Sequence, residues 1–294
     1  MTRAPLPSEL ALARRLDPAP AWAEGFVEEG GDDHLVLVPG APAPGGAPGV
    51  VLRLARRPEV ASELGRRMAL LSALAPHLPW LSPEPLSDVV LGDDAAPAAV
   101  LQRFVSGGAH APHEGDPAAL RGVLEALAAV PTAAWESLVT GPYVSSAPWD
   151  PAGREAVLGV LPAEARRAAE AVWAGLEGIE GEATGLVHGD LAGHNMRWKV
   201  ERLVGVIDWD HAAAWDPAIN LSHLALWHGV DVVAPAAPDA RFAARAALWV
   251  GHHALFRLRR AAEDGAVRRW ERLLRKTLPR LDFAATAGAG EVLA

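Results

Sequence analysis

Three oxygen-bearing side chains, Asp190, Asn195 and Asp208, stand out by type and spacing. The stretch Gly185-Leu-Val-His188-Gly189-Asp190 runs an apolar segment into a tight, glycine-containing turn. Asn195 follows five residues after Asp190, and Asp208 comes 13 residues after Asn195, at the end of a second apolar run, Leu203-Val-Gly-Val-Ile. Asp, Asn and Asp at strand ends make an all-oxygen set. Hard Mg²⁺ takes such ligands and shares its remaining positions with phosphates and water. A carboxylate left off the metal can accept a proton from an attacking hydroxyl. Each residue alone is an ordinary turn or cap residue. Together, with Ile207-Asp208-Trp209 on a strand-like run, they fit the logic of a phosphoryl-transfer catalytic loop.

The surrounding pattern must position these groups. Leu35–Val38 and Val50–Leu54 read as a hairpin around a long Pro/Gly-rich loop, Pro39–Gly49. Pro58–Leu78 reads as a helix with Val60, Leu64, Met68, Leu71, Leu74 and Leu78 on one stripe. Asp88–Leu91 and Ala99–Val105 read as a second hairpin around Gly92–Pro97. After Ser106-Gly107-Gly108 the texture becomes helical: Pro117–Val130, Glu164–Leu176, Ala218–Trp227, Arg241–Glu263 and Val267–Leu278 are the expected helices. Only Gly185–Trp198 and Leu203–Trp209 interrupt them with strand character. The tail Ala284–Ala294 is expected to fray. The pattern predicts an α+β protein, with a small antiparallel β-rich lobe over 1–105 and a larger, mainly α-helical lobe over 106–294.

Composition narrows the function classes. The 294 residues are half hydrophobic and 21% charged, as in ordinary globular chains, and leave ample material for a core. There is no cysteine, which excludes disulfides, thiolate chemistry and cysteine-ligated zinc. A formal net charge of -9 argues against a nucleic-acid polymer as partner. No apolar run reaches membrane-spanning length, so no membrane partner is expected. Met1–Pro20 has no apolar signal core, so a cytoplasmic location is expected.

The quoted residues resemble the aminoglycoside phosphotransferase-like kinases, whose signature is His-Gly-Asp, four residues, Asn, then an Ile-Asp-Trp-like segment. His188-Gly189-Asp190, Asn195 and Ile207-Asp208-Trp209 match it, and Trp215-Asp216-Pro217 is similar to the Asp-Pro that follows. The resemblance implies a two-lobed, protein-kinase-like fold. It implies ATP- or GTP-dependent transfer of a γ-phosphoryl group to a small-molecule hydroxyl of aminoglycoside, macrolide or amino-sugar type. Asp190 would be the base, Asn195 and Asp208 would hold Mg²⁺, and His188 and Asp216 would support the loop. Residues 1–105 would form the nucleotide-binding lobe and 106–294 would carry the catalytic loop and acceptor site. Val50-Val-Leu-Arg53 resembles the strand that carries the phosphate-binding cation, and Glu63 would be its helix partner. The cation must be arginine because Lys199 and Lys276 are the only lysines. Gln102 and Phe104 lie on the expected hinge strand, where backbone groups would read the purine. Gly30-Gly31 sits where the family covers the nucleotide. A narrower similarity to macrolide phosphotransferases rests on Arg53-Leu-Ala-Arg-Arg-Pro-Glu-Val, Ala192-Gly193-His194 and Ile207-Asp208-Trp209.

Two departures stand out. Leu127-Ala-Ala-Val-Pro131 lacks a histidine that the family often has, and Asn220 replaces a frequent aspartate. Both are expected to touch scaffolding. Of the 11 histidines, His211, His223, His228, His252 and His253 cluster late without zinc-ligand spacing. His228, His252, His253, Trp215 and Trp227 are candidates for the acceptor pocket. The main alternative is a catalytically inactive, kinase-like nucleotide-binding scaffold, against which the complete Asp/Asn/Asp set argues. A protein kinase is disfavoured by the short Asp208–Asp216 interval. A metal-dependent hydrolase would release phosphate without an acceptor.

Overall fold

The computed structural model describes residues 1–41, 46, 48–92, 97–139, 151–179, 184–263 and 270–288. In chain order its elements are β1 (Thr2–Arg3), α1 (Pro7–Leu16), β2 (Phe26–Glu28), β3 (His34–Val38), β4 (Val50–Ala55), α2 (Pro58–Leu74) and β5 (Ala99–Arg103). There follow α3 (Pro117–Ala128), α4 (Pro151–Val160), α5 (Ala163–Glu177), β6 (Gly185–Val187), β7 (Met196–Lys199) and β8 (Arg202–Val206). The chain continues through β9 (Ala213–Trp215), α6 (Ala218–His228), α7 (Val233–Ala236), α8 (Ala240–Glu263) and α9 (Trp270–Gly288). Among the described residues no helix is long and apolar enough to cross a membrane.

The chain forms two compact units. One comprises Met1–Ala109, Ala133–Leu138 and Met196–Trp209; the other comprises His110–Thr132, Val139–Asn195 and Asp210–Ala294. The first unit holds a five-stranded antiparallel sheet in the order β1-β2-β3-β4-β5. Every residue of β4 is buried, because the strand lies between β3 and β5 and packs on both faces. Leu12, Trp22, Val27, Leu37, Leu52, Leu54 and Leu101 close one core against the sheet. The β7–β8 hairpin belongs to this unit as well. Its Trp198 exchanges two backbone hydrogen bonds with Gly108, and Leu81 bridges to Gly205. Gly107 has φ of +130°, and a Cβ there would lie 2.9 Å from the Trp198 carbonyl oxygen, so that close approach requires glycine.

The second unit is mainly helical. Val157, Leu161, Val172, Trp173, Leu255, Leu258, Leu281 and Ala284 form its core. Gly251 on α8 lets α9 approach closely: a Cβ at Gly251 would lie 2.7 Å from that of Ala284. The short β6–β9 pair is antiparallel, with Leu186 opposite Ala214.

Several sequence expectations need correction. The N-terminal elements β1, α1 and β2 precede the first expected strand, which begins at His34 in the structure. The second hairpin reduces to a single bridge between Val90 and Ala99; Leu91 is exposed, and residues 93–96 of its turn lie outside the described residues. The Pro58–Leu78 helix ends at Leu74 and tightens into a 3₁₀ turn over Ala75–His77. Pro76 lacks the N–H that would continue the α-helical ladder. The frayed tail is overturned as far as Gly288, because Leu281 and Ala284 are fully buried in the helical core. Residues 267–269 of the last expected helix and 289–294 of the tail lie outside the described residues.

Candidate active site

Strand β6 leads through buried His188 and Gly189 to the partly exposed Asp190, all in the helical unit. The strand end is clamped by one side chain of α6. Asn220 accepts the His188 N–H at 2.9 Å through Oδ1 and donates to the Leu186 carbonyl at 2.9 Å through Nδ2. This needs one acceptor and one donor, which an amide has and an ionised carboxylate lacks. The departure at position 220 therefore has a scaffolding task. Gly189 has φ of +87°, and a Cβ there would come 2.1 Å from the His211 carbonyl oxygen. Glycine is required by both conformation and space.

Asp190 is partly exposed, and its N–H donates to His188 Nδ1 at 3.2 Å. Asn195 donates through Nδ2 to the Asp190 carbonyl and to its Oδ2, both at 2.9 Å. Two imidazoles flank the same carboxylate. His194 Nε2 lies 3.4 Å from Oδ2, and His223 Nδ1 lies 3.8 Å from Oδ1. Burial pushes the Asp190 carboxyl up, but the hydrogen bond from His194 and the fields of His223, His194 and His188 outweigh it and bring it down to about 2. Asp190 is thus a carboxylate at neutral pH. His223 is itself pushed down to about 4 by burial, against the opposing pull of Asp190, so its ring is neutral there.

Asp216 is buried and accepts from the Ala218 N–H at 3.0 Å, at the start of α6. It also accepts from Arg245 Nε at 3.2 Å and Trp249 Nε1 at 2.8 Å, both on α8. Asp216 thereby fixes the helix that carries Asn220 and His223. Of the other late histidines, His223 lies tilted against His253 with centroids 4.5 Å apart, and His252 meets Trp249 edge-on at 5.3 Å. Trp227 stacks on His194 at 5.4 Å and donates to the His110 carbonyl at 3.1 Å. Gly193 packs directly on the Trp227 indole. Of the expected acceptor residues, Trp227 reaches the catalytic loop. His252, His253 and His228 are buried, and Trp215 pairs with Gly185 in the β6–β9 ladder.

In the sheet unit, Asp208 follows β8 in a left-handed backbone conformation, φ 64°. It is exposed, while Trp209 is buried and donates to the Val206 carbonyl at 3.1 Å, anchoring the turn. Arg53 is buried on β4 with Nη2 2.9 Å from His34 Nδ1. The register pairs Val36 with Arg53, so His34 is its diagonal neighbour on the same face. Glu63 is engaged elsewhere, in an ion pair with Arg66 one turn on. Arg66 also donates to the Leu138 carbonyl at 2.6 Å. Gln102 turns inward and donates to the Pro83 carbonyl at 2.6 Å, and the Phe104 N–H donates to the Gly49 carbonyl at 3.1 Å. Gly30 and Gly31 lie between β2 and β3.

The donor set can be weighed against Mg²⁺. Committing Asn195 Nδ2 to Asp190 leaves the amide oxygen as the end suited to a hard cation. Among the described residues no group of three or more His, Cys, Asp or Glu side chains forms a cage. Mg²⁺ characteristically uses one or two carboxylates with waters and substrate phosphates, so the residues fit that ion.

Sequence reasoning overlooked His194 and His223 beside Asp190. His194 had a legible signal, four residues after Asp190. His223 had none, because α6 brings it in from 33 residues away. Comparison with known proteins places the chain in a family. The model of the family described as "Phosphotransferase enzyme family" matches residues 43–257. Viomycin phosphotransferase of Streptomyces vinaceus is 30% identical over 252 residues, 76% of this chain and 79% of that protein. Among solved structures, the GDP complex of an aminoglycoside 2′-phosphotransferase IIIa variant superposes with a TM-score of 0.70 at 18% identity, covering 96% of this chain and 98% of that one. A macrolide 2′-phosphotransferase from Brachybacterium faecium, as the apoenzyme, gives 0.61 at 22% identity, covering 92% and 96%. The fold is thus the kinase-like one of these phosphotransferases. By sequence and by architecture, the chain belongs to the phosphotransferase enzyme family.

Proposed function

We propose that the chain transfers the γ-phosphoryl group of ATP or GTP to a hydroxyl of a small molecule of aminoglycoside, macrolide, viomycin or amino-sugar type. The observation that carries this reading is the Asp190 carboxylate, kept ionised and held by Asn195 on the loop that follows β6. In this account Asp190 orients the acceptor hydroxyl and takes its proton as the hydroxyl oxygen attacks the γ-phosphorus, whose bond to the bridging oxygen breaks and releases the nucleoside diphosphate. Asn195 and Asp208 hold Mg²⁺, which when bound neutralises charge on the nucleotide phosphates. Arg53 is assigned to the phosphates. Glu63 is kept as a nearby acidic group whose present partner is Arg66. The backbone of Gln102 and Phe104 is assigned to the purine. His188 and Asp216 hold the loop and its supporting helix. Residues 1–105 bind nucleotide and 106–294 bind the acceptor.

The donor assignment draws on relatives whose solved forms are GDP complexes, one of them with kanamycin. The acceptor classes come from the viomycin, aminoglycoside and macrolide phosphotransferases that the chain resembles. Catalysis of this kind is mainly positioning and electrostatics.

Mass spectrometry tests the reading. Protein, Mg²⁺ and ATP or GTP are incubated with viomycin, kanamycin, a macrolide and simple amino sugars. A product heavier by one phosphoryl group is expected with at least one acceptor. Steady phosphate release with no acceptor product would favour a hydrolase. Nucleotide binding without turnover would favour an inactive scaffold.

A further inference from the structure

Among the described residues, hydrogen bonds of ordinary length grip the Asp190 carboxylate at Oδ2 and not at Oδ1. Asn195 holds Oδ2, and His223 Nδ1 lies 3.8 Å from Oδ1. The His223 imidazole is itself tightly confined. It is 8% exposed, its ring lies 4.5 Å from the ring of buried His253, and it rides on a helix pinned by Asp216. We infer that His223 is a positioning residue for Asp190: its ring presents Nδ1–H to Oδ1, so that both carboxylate oxygens are held when the acceptor hydroxyl arrives. This inference rests on the reading of Asp190 as the base.

Three arguments carry it. The first is directional. Nδ1 rather than Nε2 faces the carboxylate, and a carboxylate oxygen accepts and cannot donate, so the tautomer that lowers the energy is Nδ1–H. The second is electrostatic. Burial keeps the ring neutral, so it steers Asp190 without neutralising the charge that makes it a base. The third concerns distance. The gap exceeds a hydrogen bond by less than 1 Å, which a small rotation of either side chain closes. His223 is thus placed as the partner of the other oxygen, opposite Asn195.

Two measurements test this. The first needs no acceptor: two-bond ¹H–¹⁵N correlation spectra read the tautomer of each histidine, with His223→Phe used for assignment. His223 is expected as the Nδ1–H form at neutral pH; the Nε2–H form would overturn the proposal. The second compares variants by kcat and KM, using kanamycin, viomycin or a macrolide, whichever the wild type phosphorylates. His223→Phe keeps a ring against His253 and removes the donor, and kcat is expected to fall about 10- to 100-fold with the nucleotide KM little changed. His223→Asn puts an amide N–H near the position of Nδ1, and His223→Gln puts one near Nε2. Asn is expected to recover at least about tenfold over Gln, a difference that a packing role does not produce. Equal kcat in Asn and Gln would overturn the proposal, and this pair decides the matter even if the Phe variant folds poorly. Asp190→Asn is run alongside. Retained turnover there would sink the base reading and this inference together. Lost turnover there with full activity in His223→Phe would sink the inference alone.

Discussion

The side-chain nitrogen of Asn195 lies 2.9 Å from Oδ2 of Asp190 and 2.9 Å from the backbone oxygen of the same residue. One buried amide thus fixes both the main chain and the side chain of the proposed base, and its own oxygen end is left for a cation. This contact explains why the interval of five residues matters. The 3₁₀ turn Gly193–Asn195 folds the chain back so that Asn195 reaches Asp190. Asn195→Ala removes both bonds. Turnover is expected to fall about 10²-fold, and half-saturation by Mg²⁺ is expected to move to higher concentration. A Mg²⁺ titration of initial rates checks this.

Gly189 sets the direction in which Asp190 leaves β6. A methyl group there would overlap the His211 carbonyl, and φ of +87° disfavours any L side chain. Gly189→Ala is expected to cost about 2 kcal/mol or more. Urea denaturation, together with loss of turnover in the fraction that remains folded, checks it.

Asp216 gathers Arg245, Trp249 and the start of α6 in a buried site. Asp216→Ala leaves the Arg245 guanidinium buried without this carboxylate, which costs about 3–5 kcal/mol in comparable settings. A lower denaturation midpoint is expected. Turnover should fall as well, because α6 carries both Asn220 and His223.

His228 gives the pH prediction. The residue is 2% exposed, and among the described residues neither ring nitrogen has a hydrogen-bond partner. Burial, with His110 and His113 adding to it, pushes it down from 6.5 to about 4. Between those values the unfolded chain binds more protons than the folded one, so stability rises with pH. This contribution is complete above about pH 6.5 and is lost as pH falls towards about 4. Denaturation midpoints for wild type and His228→Phe across that window are expected to differ in slope, the variant being flatter.

Much of this was legible in the sequence for particular reasons. Asp190, Asn195 and Asp208 announced themselves because loop chemistry is local and a carboxylate and an amide on a short turn keep their spacing. The helices over 117–128, 163–177, 218–228 and 240–263 fell within a few residues of their expected limits because their apolar periodicity is strong. β1 and β2 were not legible: strands of 2 and 3 residues carry too little alternation. The neighbours of Arg53 were not legible either. The His34 contact depends on the β3–β4 register, and Glu63 turned to Arg66 because a partner one helical turn away needs no tertiary alignment. Asn220 departs from the family pattern, and its task shows only in its two backbone partners, which lie more than 30 residues away in sequence.

The central claim is that Asp190 takes the proton of the acceptor. Its most direct test is the kinetics of Asp190→Asn, a substitution that keeps the shape of the side chain and the capacity of Oδ1 to accept a hydrogen bond. The account predicts that phosphoryl transfer to the acceptor falls by at least about 10²-fold while nucleotide affinity stays within about threefold. Near wild-type turnover in Asp190→Asn would contradict it.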